Sequence, residues 1–270
     1  MLISKLKTNQ PLVHCITNYV TVTDCANGVL AVGASPIMAD EISEVADIVN
    51  ICNALVLNIG TANQRTAASM LAAGRAANQK GIPVLLDPVG VGASAFRREL
   101  VEKIIKDIKL TAIRGNASEI RVLAQGQRGP SRGVDVGLDD LITRQNMEQA
   151  ADFVCKLSRQ TGAAVSLSGA IDIVADQQAA FALFNGHEQM TQLTGCGCLL
   201  SAITGAFLSV AALPLEGLRG AASLWAVCGE LAYEQTKGQG LGAYHMALLN
   251  NLSLLDDKTV DGREKYERLV

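Results

Sequence analysis

Short apolar runs alternate with longer alanine-rich runs along most of the chain, and this alternation limits its possible folds more than any other feature. The run ALVLNIG (54–60) has the composition of a buried strand, and QRTAASMLAAGRAANQKG (64–81) that of a helix ended by a glycine. Two more apolar runs, IPVLLDPVG (82–90) and AAVSLSG (163–169), lead into small polar turns. Strands that alternate with helices predict an α/β fold with a mostly parallel sheet and helices on both faces. Such sheets bind ligands at the carboxyl ends of their strands.

The remaining segments fit a single domain that occupies residues 1–270. The segment DIVADQQAAFALFNG (172–186) predicts two paired strands, because alternating apolar residues flank a polar turn. Helical patterns dominate from residue 196 onward, and the charged tail at 256–269 predicts a solvated helix or a frayed end. The glycine-rich stretch at 124–140 is loop-like. We interpret it as a loop inside the domain, because the same alternation resumes on both sides.

Composition restricts the class of partner and the compartment. Charged residues make up 18% of the chain, and the formal net charge is −3. This charge argues against nucleic-acid binding, so we expect small molecules or further copies of the chain as partners. The seven cysteines are an odd number, which favours free buried thiols over a disulfide framework. The beginning of the chain lacks a signal-peptide pattern and no apolar run has the length of a membrane span, so we expect a cytoplasmic location.

The segment TQLTGCGCLLSAITGAF (191–207) joins a glycine turn to an apolar helix and is the first candidate site. Structural zinc needs a second cysteine pair, and a thioredoxin-like redox motif needs a spacing one residue longer. The cysteines can also be small apolar residues in an ordinary turn. Alternatively, glycines that open a helix leave unpaired N–H groups at the positive end of its dipole, which suits a phosphate. On this interpretation, Gly195, Cys196 and Gly197 form an anion hole.

A second candidate site lies in IRGNASEI (113–120). Asn116 and Glu119 have the spacing of a helix capping box, which would give them a purely structural role. In the functional interpretation, Glu119 organises waters around a Mg²⁺ ion bound to phosphates, and Arg114 binds the phosphate oxygens. Asp87, at the end of the strand in IPVLLDPVG, either forms a turn or joins the same metal shell. The pattern alone leaves both interpretations open.

Several of these segments together resemble a known family. NASE (116–119) is similar to the N-x-x-E motif of ribokinase-like small-molecule kinases, and TGCGC (194–198) to their glycine-rich anion-hole motif, which usually ends in a catalytic aspartate. The form with cysteine resembles the hydroxyethylthiazole kinases of thiamine salvage. Five further segments carry the resemblance, which spans roughly residues 10 to 235: PLVHCITN (11–18), GASPIMAD (33–40), LNIGT (57–61), LDPVGVGA (86–93) and AIRGNASEI (112–120).

The resemblance implies a three-layer ribokinase-like fold with a mostly parallel central sheet flanked by helices. It also implies transfer of the γ-phosphoryl group of ATP, with Mg²⁺, to the primary hydroxyl of 4-methyl-5-(2-hydroxyethyl)thiazole. Members of the family are typically homotrimers with sites at subunit interfaces. Two alternatives share the fold: a kinase of another vitamin precursor and an ATP-dependent hydrate dehydratase. A third, a nucleotide-binding regulatory module without turnover, belongs to a different functional class.

Residue by residue, the resemblance implies roles for five positions. Met38 and Gly195 match positions that contact the substrate. Arg114 and Ser168 match positions that contact ATP, and Cys198 matches the residue that faces the reacting hydroxyl. The polarisable sulfur of Met38 suits the face of a flat thiazole ring.

The sequence departs from the family pattern at several positions. Ser168-Gly169-Ala170 replaces the commoner Thr-Gly-acid sequence, so that a hydroxyl is kept and an acid is lost. Cys196 fills a position that more often holds another small residue.

At Cys198, the helix N-terminus is expected to lower the thiol pKa from about 8.5, which predicts partial ionisation and acceptance of the hydroxyl proton. Positioning and electrostatics are expected to supply most of the catalysis of phosphoryl transfer.

A few further polar residues complete the set of candidates. Thr17, Asn18 and Asn27 lie just after the first apolar strand and are candidates for polar groups in the pocket. His187 and His245 have no partner that the sequence identifies, so we expect both on the solvated surface. These residues carry less of the functional argument than the two segments above.

Overall fold

Strands and helices alternate through the part of the chain that the structure describes. This computed structural model describes residues 2–125 and 141–270. The predicted loop at 124–140 lies outside it, except for residues 124 and 125, which end a helix. The strands are β1 Leu12–Ile16, β2 Ser35–Ile37, β3 Ala54–Asn58, β4 Val84–Asp87, β5 Ala112–Asn116, β6 Ala164–Ser168, β7 Asp172–Ala175, β8 Ala180–Leu183 and β9 Tyr266–Arg268. The helices are α1 Ile3–Asn9, α2 Val22–Ala31, α3 Val45–Ile51, α4 Gln64–Lys80, α5 Ala95–Asp107, α6 Ala117–Gln125, α7 Met147–Thr161, α8 Cys196–Val210, α9 Pro214–Thr236, α10 Leu241–Leu254 and α11 Asp257–Arg263, with a short 3-10 helix at Glu188–Gln192.

The nine strands form one sheet in the order β2-β1-β3-β4-β5-β6-β7-β8-β9. Neighbouring strands from β2 to β6 are parallel, whereas β6, β7, β8 and β9 pair antiparallel. The β7–β8 pair is the strand pair predicted at 172–186, and its register places Asp172 opposite Leu183. The sheet is therefore mostly parallel, as the alternation of strands and helices predicts.

Two apolar cores cover the two faces of the sheet. In β3, Leu55 and Leu57 belong to a core with α3, α4, α5, α6 and α7. Ala54 and Val56 belong to a second core with α1, α2, α8, α9, α10 and α11. Burial on both faces explains why the strand is an uninterrupted apolar run until Asn58. The expected three-layer α/β fold is confirmed.

Local sequence signals set the ends of the helices. α4 follows Asn63, whose side chain accepts a hydrogen bond from Thr66 N while the Thr66 hydroxyl accepts one from Asn63 N. This capping box supplies hydrogen-bond acceptors for two N–H groups that have no acceptor within the helix. The helix ends at Gly81, whose φ of +80° is a left-handed conformation that glycine adopts easily. Within the described ranges, none of the helices is both long enough and apolar enough to cross a membrane.

The charged tail is more ordered than the sequence predicts. After α11 the chain continues into β9, which pairs with β8 and places Phe181 opposite Arg268 and Leu183 opposite Tyr266. Without β9, the edge of β8 would expose unpaired N–H and C=O groups. The prediction of a solvated helix or frayed end is therefore wrong for residues 266–268, which form β9. This strand could not be recognised from the sequence, because its three exposed residues carry no apolar pattern.

α8 crosses the sheet at close range through a glycine. A Cβ atom on Gly205 would lie 2.4 Å from Val56 Cγ2 and 3.3 Å from Val13 Cγ1. The first separation is shorter than real Cβ contacts, so the helix lies this near to β3 only because residue 205 has no side chain. The same contact fixes the helix that begins with the TGCGC segment.

Replacing Gly205 with alanine should lower the free energy of unfolding by up to about 2 kcal/mol, because the added methyl group overpacks the contact with Val56 at a cost of about 1–3 kcal/mol. Alanine's higher helix propensity offsets about 1 kcal/mol of that cost. Gly242→Ala in α10 is the matched control, since a Cβ there meets nothing within 4 Å, and its stability should be unchanged or slightly higher. Chemical denaturation measures both free energies of unfolding. Equal stabilities of the two variants would contradict the close packing of α8.

Candidate active site

The carboxyl ends of the parallel strands meet the beginning of α8 at one edge of the sheet. Asn58, Asp87 and Asn116 are the last residues of β3, β4 and β5, and Ser168 ends β6. α8, which begins at Cys196, packs against β1, β3, β4 and β5. This is the edge at which open α/β sheets bind ligands. The two segments singled out in the sequence therefore converge on one place.

The glycine turn (residues 194–198) leads into α8, which begins at Cys196. Gly195 has a φ of +89°, and a Cβ there would lie 2.4 Å from Thr21 Cγ2, so only glycine fits. Leu199 N donates to Gly195 O over 2.9 Å, as in a regular helix. The three N–H groups before Leu199 have no carbonyl partner within the helix. They lie at the positive end of the helix dipole, as the predicted anion hole requires.

Arg114 places a positive charge beside the glycine turn. Its Nη2 donates to Ser168 Oγ, and a Cβ on Gly197 would lie only 2.6 Å from its Nη1. The residue is 6% exposed, and within the described residues its Nε has no hydrogen-bond partner. A guanidinium at the positive end of a helix is unfavourable by itself and favourable around a bound anion. Both residues predicted to contact ATP therefore lie together, and Arg114 lies against the glycine turn.

A chain of hydrogen bonds, which we call the amide network, links Cys198 to Asp87 through Asn18 and Asn58. Asn18 Nδ2 lies 3.2 Å from Cys198 Sγ and 3.1 Å from Asn58 Oδ1, and donates to both. Asn58 Nδ2 donates to Asp87 Oδ2 over 2.8 Å, and Ser201 Oγ donates to the same oxygen over 2.7 Å. The network holds β3, β4, α8 and the segment after β1 in one arrangement. Thr17 and Asn27, the other polar candidates near Asn18, are not members.

The thiol of Cys198 is neutral rather than partly ionised. Burial and the nearby Asp87 raise its pKa, while the amide groups of Asn58 and Asn18 and the charge of Arg114 oppose them with smaller effects. The expectation of a lowered pKa is therefore wrong, because burial outweighs the helix N-terminus. All seven cysteines are free thiols, and Cys196 and Cys198 are the two that are not fully buried.

Glu119 has the capping role that the sequence left open, and its part in a Mg²⁺ site stays a prediction. It forms a capping box with Asn116: Asn116 N donates to Oε2 over 2.8 Å, and Glu119 N donates to Asn116 Oδ1 over 2.9 Å. Its Oε1 also accepts a hydrogen bond from Gly90 N over 2.8 Å. Burial, and then the charge of Asp87, raise the pKa of this carboxyl to about 7. Glu119 is thus both a cap and one of two close, buried acids.

Asp87 has an oxygen that would suit a cation. Burial raises its pKa, and the charge of Arg114 is the largest effect that opposes it. Within residues 2–125 and 141–270, Asp87 Oδ1 is buried without a hydrogen-bond partner. In the same ranges no cluster of three or more His, Cys, Asp or Glu could hold a metal by itself. Two carboxylates with one oxygen free suit Mg²⁺, which commonly takes one or two carboxylates and completes its shell with phosphates and water.

Met38 lies immediately after β2, at the same edge of the sheet as the amide network. It is half-buried, and it packs against the same apolar core as Cys198. Met38 therefore lies at the site's edge of the sheet, but it is not part of the hydrogen-bonded arrangement. Its contact with a substrate stays a prediction.

Sequence reasoning missed three polar residues near the site. Asn58 ends an apolar run and Ser201 lies one helical turn after Cys198, and these placements were the available signals. Asp172 accepts a hydrogen bond from Gly169 N over 2.8 Å, and burial raises its pKa to about 6. It supplies an acid close to the turn in which Ala170 replaces the one expected there.

The expectation of a solvated His187 is wrong. Its ring stacks on that of Tyr233, with centroids 3.6 Å apart and an angle of 18° between the planes. Its Nδ1 accepts a hydrogen bond from Gln189 N over 3.1 Å, which caps the short 3-10 helix before the glycine turn. The histidine therefore has a structural role in the segment that leads to α8.

A known solved structure and a known fold neighbour resemble this chain along most of its length. The structure of hydroxyethylthiazole kinase from Pyrococcus horikoshii OT3 superposes with a TM-score of 0.88 at 32% identity, covering 98% of this chain and 96% of that chain. Pyridoxal kinase from Staphylococcus aureus in complex with ADP has a TM-score of 0.61 at 16% identity, covering 82% of this chain and 88% of that chain. At that identity the likeness shows the fold alone, which is ribokinase-like.

Sequence comparison identifies the family. The model of the Hydroxyethylthiazole kinase family matches residues 3–258. The hydroxyethylthiazole kinase of Clostridium acetobutylicum is 45% identical over 267 residues, which cover 98% of this chain and 97% of that protein. Since both matches extend along nearly the entire chain, this protein belongs to the hydroxyethylthiazole kinase family.

Proposed function

We propose that this protein transfers the γ-phosphoryl group of ATP to the primary hydroxyl of 4-methyl-5-(2-hydroxyethyl)thiazole, in thiamine salvage. Membership of the kinase family gives ATP as the co-substrate and a small molecule as the acceptor. The observation that carries the proposal is the meeting of Arg114, the glycine turn and Cys198 at the carboxyl edge of the sheet. This arrangement combines an anion site with a polar group for the acceptor.

The glycine turn and Arg114 would bind the phosphates of ATP. The guanidinium of Arg114 lies against Gly197, so that it and the N–H groups of Cys196 and Gly197 would together stabilise charge on the transferring phosphoryl oxygens. Ser168, which accepts a hydrogen bond from Arg114, would orient the guanidinium and contact ATP. In phosphoryl transfer such positioning and electrostatic stabilisation supply most of the catalysis.

Cys198 would face the reacting hydroxyl together with Met38 and Gly195, the proposed substrate contacts. Because the thiol is neutral, it acts first as a hydrogen-bond partner of the hydroxyl. Only the minor thiolate form can accept the hydroxyl proton, and it becomes a neutral thiol as the oxygen bonds to phosphorus. Asn18 donates to the sulfur and would stabilise negative charge there.

Asp87 and Glu119 would hold Mg²⁺, in part through water. The electron-pair donors would be the Oδ1 of Asp87, which has no hydrogen-bond partner among the described residues, and the remaining lone pairs of Glu119. When bound, the ion would neutralise charge on the phosphates of ATP. Its charge would also lower the pKa of both acids, which burial now raises.

We also propose one domain over residues 1–270, a cytoplasmic location and a homotrimer with sites at subunit interfaces. The single sheet supports one domain, and the seven free thiols suit a reducing compartment. Tyr19 and Val20 adjoin Asn18 and are 78% and 60% exposed. An apolar pair beside the amide network suits coverage by a second subunit.

ATP should yield ADP with 4-methyl-5-(2-hydroxyethyl)thiazole, and the rate should depend on the hydroxyl group. 4-Methyl-5-ethylthiazole, which keeps the ring and lacks the hydroxyl, is the matched control and should release no ADP above background. Coupled ADP assays with pyridoxine-type alcohols and with hydrated nicotinamide cofactors test the two alternatives on this fold. Faster ADP release with either of those compounds than with the thiazole would overturn the proposal.

Cys198→Ala should lower kcat by about tenfold, less than the 10²- to 10⁴-fold that a full general base contributes, because the thiol is neutral. Cys198→Asp should retain activity, since a carboxylate can also accept the proton. Cys155→Ala, on α7 in the opposite core, controls for loss of a thiol and should keep its kcat. Steady-state kinetics of the three variants decides. A fully active alanine variant beside an inactive aspartate variant would count against a role in proton transfer.

Stability should fall as pH rises through the pKa of Glu119. The pKa is raised from 4.5 to about 7 on folding, so the native state retains a proton that the unfolded chain releases. From about pH 5 to about pH 8, without Mg²⁺, the wild type should lose about 2–3 kcal/mol relative to Glu119→Gln.

Chemical denaturation at the two pH values measures this difference in the free energy of unfolding. Added Mg²⁺ should stabilise the wild type more at the higher pH, because metal and proton compete for the same oxygens. Glu119→Gln should lack that pH dependence. Parallel pH profiles of wild type and variant would show that Glu119 does not titrate in this range.

A further inference from the structure

Arg97 of α5 connects two loops at the active-site edge. Its Nη1 donates to Val89 O and its Nη2 donates to Gly60 O, and the donor–acceptor distance is 2.5 Å in both hydrogen bonds. Gly60 follows the end of β3, and Val89 follows the end of β4. One guanidinium therefore binds the loops that leave two neighbouring strands, and its planar fork suits two carbonyls at once.

The peptide group between Val89 and Gly90 lies between Arg97 and Glu119. Its carbonyl oxygen accepts from Arg97, and its N–H donates to Glu119 Oε1 over 2.8 Å. Because a peptide group is planar, holding the oxygen also fixes the direction of the N–H. Gly90 has a φ of +62° and, as a glycine, gives this peptide unusual freedom to rotate. If the peptide rotated, a carbonyl oxygen would face the carboxylate of Glu119 and repel it.

The second carbonyl leads to the amide network. Gly60 N donates to Asn58 Oδ1 over 2.9 Å, and Asn58 joins Asn18 to Asp87. Gly60 also lies close to Asn18, since a Cβ on it would lie 3.0 Å from Asn18 Cβ. Arg97 thus holds the backbone on both sides of the site through charge-assisted hydrogen bonds, which are stronger than neutral ones.

We infer that Arg97 is a positioning residue for phosphoryl transfer, acting through the Val89–Gly90 peptide on Glu119 and through Gly60 on Asn58. This inference rests on the proposed function, because the reaction to which Arg97 contributes is the proposed phosphoryl transfer. Arg97 acts indirectly, through the two loop carbonyls to which it donates hydrogen bonds. Its loss leaves both of those oxygens without their donor and frees the glycine-containing loops.

Arg98 provides a matched control on the same helix. It is half-buried like Arg97, and its Nη1 donates to Gly92 O over 3.1 Å. The next N–H, that of Ala93, donates to Gly90 O within the same loop. Arg98 therefore makes a comparable bond to a loop carbonyl without the direct connection to a side chain of the site.

Steady-state kinetics of Arg97→Ala, Arg97→Lys and Arg98→Ala tests the inference. Arg97→Ala should lower kcat by about 10- to 100-fold, because small displacements of reacting groups cost rates of this order. The KM values for ATP and the thiazole should change by no more than about threefold, since an interaction that matters mainly in the transition state lowers kcat rather than binding. Arg97→Lys should be intermediate, because an ammonium cannot bind both carbonyls with the same geometry. Arg98→Ala should stay close to wild type.

Amide hydrogen exchange of the same proteins without substrates gives a readout that does not depend on the reaction. In Arg97→Ala, exchange should accelerate at Gly90 and Gly60 and stay unchanged within β3 and β4. Arg98→Ala should leave both glycines protected. An Arg97→Ala variant that matches Arg98→Ala in kcat, or that exchanges faster throughout the sheet, would overturn the positioning role. Absence of ADP release by the wild type would overturn the proposed function instead, and the exchange comparison would still test the contacts of Arg97.

Discussion

The arrangement of the candidate site depends on the buried carboxylate of Asp87. An isolated carboxylate in the interior is strongly unfavourable, so its hydrogen bonds to Asn58 and Ser201 are needed for the fold as well as for the site. These two bonds hold β3 and α8 against the end of β4. The other oxygen is left without a partner in the described part of the chain, which keeps the site incomplete without a ligand. The proposed role of Asp87 as a metal ligand would exchange this cost in stability for a binding position.

The architecture and most of the site could be predicted because they follow local patterns. Apolar strands buried on both faces, glycines at helix ends and a period-two strand pair specify the layers and the edge at which ligands bind. The glycine turn could be predicted for the same reason. Glycine is the only residue type that fits both the backbone conformation at position 195 and the close contact with Thr21. Arg114 lies in β5 and Ser168 ends the adjacent β6, and their proximity follows from the parallel pairing of the two strands.

The rest depended on contacts between distant segments. Asn18 and Cys198 are 180 positions apart, and no spacing in the sequence indicates that they are hydrogen-bonded. The predicted direction of the shift in the Cys198 pKa was wrong. Burial and the charge of Asp87, which act only in the folded chain, outweigh the effect of the helix N-terminus. Arg97 gave no sign of its two loop contacts, since an arginine on an exposed-looking helix face has many possible partners. β9 was missed because three polar residues form a strand only where β8 offers an edge.

The two ends of the described chain are joined to the rest of the fold late in its synthesis. β9 supplies the last partner of the sheet, and Asp257 accepts hydrogen bonds from Ile3 N and Ser4 N of α1. Both contacts require residues of α11 and β9, which follow all the other described elements in the chain and are therefore synthesised after them. A nascent chain therefore emerges with β8 uncovered and α1 undocked, and these two elements are where a chaperone would find exposed surface during translation.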